Sequence, residues 1–307
     1  MAEATAPLDA GGGPGGPADL VGQVSRQLTR GLARLAQSAR LPAGGRPPRP
    51  VLVAVAHGSR DPRAVTTVRA LLERVRALRP DLDVRLGHIE LNEPLLSGTL
   101  DALATLTDRQ HPTAHAVLVP LLLSRGHHVK HDLPAALAAA PHVRGAVAGS
   151  LGPHPLLAEA LHTRLTEAGW DRPGSGSAGG PGKAVVLAAA GSRDPDAAVD
   201  TARTAALLSA RLGGVPVVPA FASVAAPTVA EAVAALTVRG LRRVAVAACF
   251  TAPGRFATQT AAAAPWIAAA PLGAQDAMAR LVVHRYEQAA AGLAAGWQGP
   301  LAAATPR

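Results

Sequence analysis

Short, wholly apolar runs alternate along this chain with longer amphipathic stretches, beginning at "VLVAVA" (51–56). An apolar run of that length, bounded by turn residues, reads as a strand buried on both faces of a parallel sheet. "HGSR" follows as a turn, and Asp61 and Pro62 have the N-cap and first-turn chemistry that opens a helix, expected to reach about Leu78. The pattern continues with a second strand at 82–91, a helix from Pro94 to about Asp108, and a third strand at 114–123. A helix near 134–140, a fourth strand at 143–151 and a helix from Pro155 to about Ala168 complete the series. After "GSGSAGGPG" (174–182), a flexible-linker composition, it restarts. Strand 184–189, helix 196–211, strand 215–221, a helix from Pro227, strand 243–250 and a last helix over about 275–295 follow. Strands alternating with helices predict βαβ units and an α/β fold with parallel sheets.

The second series repeats the first. "VAVAHGSRDP" (53–62) returns as "LAAAGSRDP" (187–195), with Ala190 where the histidine stood. Gly58 and Gly191 of this turn are 133 residues apart, and so are the helix-starting Pro94 and Pro227. Two landmarks at one offset in one strand–turn–helix setting indicate two homologous α/β halves. The expected organisation is an N-terminal extension (1–49), a first lobe (50–170), a Gly/Ser/Pro linker (171–183), a second, degenerate lobe (184–295) and a flexible tail (296–307). Residues 1–17 are rich in Gly, Pro and Ala and read as disordered; 18–40 read as a short basic amphipathic helix or a solvated extension.

Composition narrows the partners. The net charge of +9 suits a polyanion, whether nucleic acid, an anionic membrane or a polyanionic small molecule. Aromatic residues make up only 2% of the chain and the arginines are dispersed, which argues against nucleic acid. The single cysteine, Cys249, excludes an internal disulfide and a multi-cysteine metal cage. No secretory signal and no apolar run of membrane-spanning length are visible, so the expectation is a cytoplasmic protein with no membrane partner.

Ligands of parallel α/β sheets bind outside the carboxyl ends of the strands. His57 ends the first strand, Glu90 ends the second, and His127–His128 follow the third. Two imidazoles and a carboxylate at one sheet edge suit a borderline divalent metal such as Fe²⁺, Co²⁺, Ni²⁺ or Zn²⁺. In the second half His57 becomes Ala190 and Glu90 becomes Ser223. Aligning Val117 with Val244 sets His128 against Arg255. Every candidate ligand is lost while the GSRDP turn persists, so the turn reads as scaffold and His57 as chemistry. His111, His115, His142, His154 and His162 show no such pattern and are read as structural.

"VAVAHGSRDP", "IELNEP", "LVPLLLSRGHHVKHDLP" and "LGPHPLL", in this order, resemble the sirohydrochlorin chelatase family, the class II tetrapyrrole chelatases. The resemblance is strong over about 50–168 and worn over 184–285. It implies two similar α/β lobes with a cleft between them, and insertion of Fe²⁺ into sirohydrochlorin to make sirohaem. Cobalt insertion for a corrinoid pathway is the close alternative, and a non-catalytic metal or tetrapyrrole carrier is a second. The family pattern puts metal handling and catalysis on His57, Glu90 and His128, with His127 as a register alternative for His128. The metal is then a substrate, and no permanently bound cofactor is expected. Ser59, Arg60, Arg125 and Lys130 flank the site as candidate binders of a polycarboxylate tetrapyrrole. Two lobes fused in one chain imply a monomer.

Overall fold

A computed structural model describes residues 49–106, 113–170 and 182–297. The expected N-terminal extension, linker and C-terminal tail lie, but for their edge residues, outside the described residues.

The first sheet contains β1 (Val51–Ala56), β2 (Val84–His88), β3 (Ala114–Pro120) and β4 (Val143–Val147), all parallel, in the order β2-β1-β3-β4. The second contains β5 (Lys183–Ala189), β6 (Val217–Phe221), β7 (Arg243–Ala248) and β8 (Ile267–Ala268), in the matching order β6-β5-β7-β8. The helices are α1 (Pro62–Leu78), α2 (Leu96–Ala102), α3 (Leu133–Ala138), α4 (Pro155–Glu167), α5 (Pro195–Arg211), α6 (Val229–Val238), α7 (Arg255–Ala261) and α8 (Asp276–Trp297). The α/β character, the parallel sheets and their repetition agree with the sequence reading. Among the described residues, no helix is long and apolar enough to cross a membrane.

The differences in strand length have a common cause. Strands expected at 82–91, 114–123 and 143–151 are shorter, because a strand extends only as far as its neighbour. Pairing ends at Ala56↔His88, Val55↔Pro120 and Leu118↔Val147. The helices expected from Pro94 and Pro227 begin at Leu96 and Val229, the second behind a capping box of Thr228 and Glu231. α7 and β8 lie in an alanine-rich stretch whose uniform side chains carry no periodic signal.

Alternate residues of each central strand face different cores. Leu52, Ala54 and Ala56 of β1, with Val185 and Leu187 of β5, belong to one continuous apolar cluster that runs through both sheets. Val51, Val53 and Val55 face a second cluster, and Ala184, Val186 and Ala188 a third. The shared cluster is built by an exchange of last helices. α4 closes the first half in sequence but packs on α5 and β7, whereas α8 closes the second half and packs on α1, α4, β3 and β4. The two halves therefore bury one apolar interface instead of meeting at a flexible joint.

Candidate metal and tetrapyrrole site

The corner after β1 is shaped by backbone chemistry. Gly58 adopts φ +105°, and a Cβ there would collide with the Glu90 carbonyl. Gly191, at φ +90°, stands in the same relation to the Ser223 carbonyl. In both lobes the serine two residues before the N-cap accepts the cap's N–H, Asp61 to Ser59 and Asp194 to Ser192, at 3.1 Å. The Asp caps the helix in turn, accepting from the Arg63 and Asp196 amides at 3.0 Å. GSRDP is thus a scaffold motif, as expected, and the Ser59 hydroxyl serves it in the same way as Ser192 does.

This corner fixes His57 against Glu90. The Glu90 amide donates to the His57 carbonyl at 3.0 Å, and the side chains meet with His57 Nδ1 3.4 Å from Glu90 Oε1. Asn92, which the sequence reading did not single out, accepts the Ser59 amide on its Oδ1 at 2.7 Å and ties the two turns together. Its counterpart at the 133-residue offset is Ala225, so this tie is confined to the first lobe.

His128 arrives from the other side on one turn of π-helix, His128–Asp132. The turn puts His128 and Asp132 on one face, and Nδ1 of the imidazole lies 2.6 Å from Asp132 Oδ2. The rings of His57 and His128 meet edge to face, with centroids 4.9 Å apart. Each imidazole therefore has Nδ1 against a carboxylate, the arrangement by which an outer carboxylate orients a metal-binding histidine. His127 does not join them; its ring packs against His131 and its Nε2 stands 3.5 Å from Asp132 Oδ1. Asp132 was missed in the sequence, although its spacing of four residues from His128 was a signal for it. No group of three or more His, Cys, Asp or Glu side chains among the described residues is arranged to hold a metal ion. The imidazole pair, with Glu90 behind one ring and Asp132 behind the other, is an open arrangement and not a cage.

The pair lies in a cleft of about 1290 Å³ lined from both halves, by Arg60, Leu91 and Leu121 on one side and by Ser192, Thr251 and Arg255 on the other. Arg60 and Arg255 are exposed and form no ion pair among the described residues; the Arg255 guanidinium lies over the Phe256 ring, 5.2 Å from its centroid. Arg125 and Lys130, expected as binders of substrate carboxylates, are each paired with acids of the second half. Arg125 holds Asp200 through Nη2 at 2.7 Å and Nε at 3.0 Å, and Lys130 Nζ lies 2.7 Å from Asp194 and 2.9 Å from Asp196. Both are spent on ion pairs that bridge the halves.

The hydrogen-bond register also corrects the alignment of the third strands. The Leu121 amide donates to Val55 and the Cys249 amide to Ala188, an offset of 128 between 121 and 249. Arg255 is thus the counterpart of His127, and Phe256 that of His128. The loss of both imidazoles from the second half stands. Cys249 borders the cleft, but burial pushes its thiol up to about 12, so it stays protonated at neutral pH.

A family model described as CbiX matches residues 51–168 and again 184–289. The sirohydrochlorin ferrochelatase of Bacillus subtilis (strain 168) is 28% identical over 181 residues, covering 58% of this chain and 64% of that protein. The sirohydrochlorin cobaltochelatase of Priestia megaterium is 28% identical over 210 residues, covering 65% and 63%. The chain thus spans just under two thirds of the length of these relatives. Among solved structures, SirB from B. subtilis with Fe³⁺ superposes with a TM-score of 0.62 at 21% identity, covering 80% of this chain and 98% of that one. A structure of CbiX described as the terminal enzyme of sirohaem biosynthesis in denitrifying bacteria gives 0.57 at 22% identity, covering 78% and 99%. At such identities the structural likeness concerns the fold.

Proposed function

This chain belongs to the CbiX family, and on that premise we propose that it is a sirohydrochlorin chelatase, a lyase-class enzyme that inserts Fe²⁺ into sirohydrochlorin to make sirohaem. Co²⁺ insertion is the alternative, since the named relatives include one chelatase of each kind. The observation that carries the reading is the facing imidazole pair, His57 and His128, each backed by a carboxylate, inside a cleft of macrocycle-sized volume.

The residues account for insertion as follows. His57 and His128 receive the divalent metal, as substrate, on their Nε2 atoms, while Glu90 and Asp132 hold the rings by Nδ1. With so few protein ligands the metal keeps open positions and can pass to another donor set, which a closed four-ligand site would prevent. Entry of M²⁺ displaces the two pyrrole N–H protons. The two imidazoles freed by the transfer take one proton each, and their carboxylate partners stabilise the imidazolium charge. Arg60 and Arg255, uncommitted in the cleft, pair with carboxylates of the macrocycle; Ser59 adds a hydroxyl at the same corner. The reading needs no permanently bound cofactor and places the protein in the cytoplasm as a monomer.

The test is anaerobic metal insertion into sirohydrochlorin followed by absorbance, with Fe²⁺ and Co²⁺, for the native protein and His57→Ala. Multiple turnovers that collapse in the variant support the chelatase. Stoichiometric binding without release of metallated product identifies a carrier, and insertion no faster than without protein overturns the catalytic reading.

A further inference from the structure

The second half has lost its ligands, yet its polar residues are not idle. We infer that it positions the metal-handling loop of the first half through a one-sided ion-pair clamp, an inference that rests on the chelatase reading for its catalytic consequence. The loop is anchored on both flanks of the histidine pair. Ahead of it, Arg125 gives Asp200 its guanidinium, and its own amide donates to Asp200 Oδ2 at 2.8 Å. Behind it, Lys130 bridges Asp194 and Asp196. Arg125 Nη1 also stands 3.4 Å from Asp196, so the two anchors share an acid. All three acids lie on the cap and first turns of α5, a rigid support embedded in the common core.

The clamp exists in one direction only. At the 133-residue offset, Asp196 and Asp200 correspond to Arg63 and Thr67 of α1. At the 128-residue offset, Arg125 and Lys130 correspond to Pro253 and Thr258. Asp194 alone keeps an acidic counterpart, Asp61, and that one pairs with Arg63 of its own helix; Asp196, Asp200 and the two cations have no like-charged counterpart in the reverse contact. What the two contacts do share is steric: Ser192 Oγ faces Gly126, and Ser59 Oγ faces Gly254. The pseudo-symmetric contact is therefore general scaffold, and the charges are added only where the loop carries His127 and His128.

Burial fits a positioning task better than a general adhesive one. Asp200 is 1% exposed and satisfied by one backbone amide and one guanidinium, so the loop has a single low-energy seat. A 1 Å displacement of His128 would break the edge-to-face contact with His57, and misplacement on that scale is costly to catalysis. Arg125, Lys130, Asp194, Asp196 and Asp200 are positioning residues; none touches the reacting atoms in this account.

Hydrogen exchange of segment 124–132, Co²⁺ titration by absorbance, and steady-state insertion are to be measured on the native protein, Asp200→Asn, Lys130→Met, Lys130→Arg and the mirrored control Arg63→Ala. Asp200→Asn and Lys130→Met should speed exchange in 124–132 while leaving 51–56 protected. They should weaken Co²⁺ by about tenfold, in the range found for outer-shell partners, and lower kcat with KM for the tetrapyrrole unchanged. Lys130→Arg should restore native behaviour, and Arg63→Ala should have no effect. Should Asp200→Asn not fold, Lys130→Met decides, since its pairs lie at the surface. Unchanged exchange in a folded variant overturns the clamp. Faster exchange with native Co²⁺ affinity and kcat overturns its positioning role. A native protein that inserts no metal refutes the chelatase reading instead, and the exchange and Co²⁺ arms then decide the clamp alone.

Discussion

Replacing Gly58 by alanine separates what the turn does for folding from what it does for chemistry, because the protein contains its own control. Gly58 and Gly191 have nearly the same backbone, φ +105° and +90°, and in each a new Cβ would strike the carbonyl of the residue 32 positions on, Glu90 or Ser223. An L-residue held at positive φ costs about 1–2 kcal/mol, and relief of the clash adds backbone strain of about 1–2 kcal/mol. Each substitution is thus expected to destabilise by roughly 2–4 kcal/mol, or about 5–15 °C in Tm for a unit of this size. The relief moves differ in consequence. In the first lobe the carbonyl that must retreat belongs to Glu90, whose amide bonds the His57 carbonyl and whose carboxylate faces His57 Nδ1. In the second it belongs to Ser223, whose hydroxyl donates to the carbonyl of Ala190, the residue that stands in place of His57. Calorimetry should therefore show comparable losses in the two variants. Metal insertion at 20 °C, where both remain folded, should fall by about tenfold or more only in Gly58→Ala, as expected for misplaced reacting groups. Equal activity losses, or native activity in Gly58→Ala despite its lower Tm, would refute the argument.

Three further outcomes follow from the same geometry. Asp132→Ala removes the carboxylate behind His128 and should weaken Co²⁺ binding by about 10–100-fold with little change in Tm, measured by absorbance titration and calorimetry. Lys130, and then the Asp196 amide, hold the Asp194 carboxyl below its ordinary 3.8. The stability this confers is fully present above that value and lost as pH falls through the lower folded one, so acid denaturation of Lys130→Met should set in at higher pH than that of the native protein, and the two should converge in stronger acid. The Cys249 thiol, raised to about 12 by burial, should resist alkylation at pH 8 in the folded protein and react fully once urea unfolds it; fast labelling of the native state by mass spectrometry would contradict that burial.

How much of the site was legible depended on whether the signal was local. His57, Glu90 and His128 could be singled out as candidates because each follows a strand, and strand ends of one parallel sheet share an edge; the structure brings their side chains together. Between His127 and His128 the family motif already preferred His128; the structure adds that the π-turn sets the His128 ring against His57 and the His127 ring against His131. Arg125 and Lys130 illustrate the limit. Beside a pair of histidines they read as anion binders, yet their partners lie about 65–75 residues away on α5, a separation set by packing and invisible to spacing. The Arg255 alignment erred by one residue for a related reason. A register between strands is a property of the sheet's hydrogen bonds, and a slip of one exchanges every side chain across its faces.

The sequence by itself determined the α/β alternation, the duplication, the GSRDP corners and the retention of imidazoles in one half only, because these rest on short-range periodicity, capping and turn chemistry. Only the tertiary structure decided that the last helices cross to the opposite sheets, that the two halves share one core, and that Arg125 and Lys130, two of the candidate substrate cations, pair with acids of the second half. Those outcomes depend on which surfaces bury one another. Apolar burial is non-directional and takes no account of chain order, so local pattern leaves open what each face will meet.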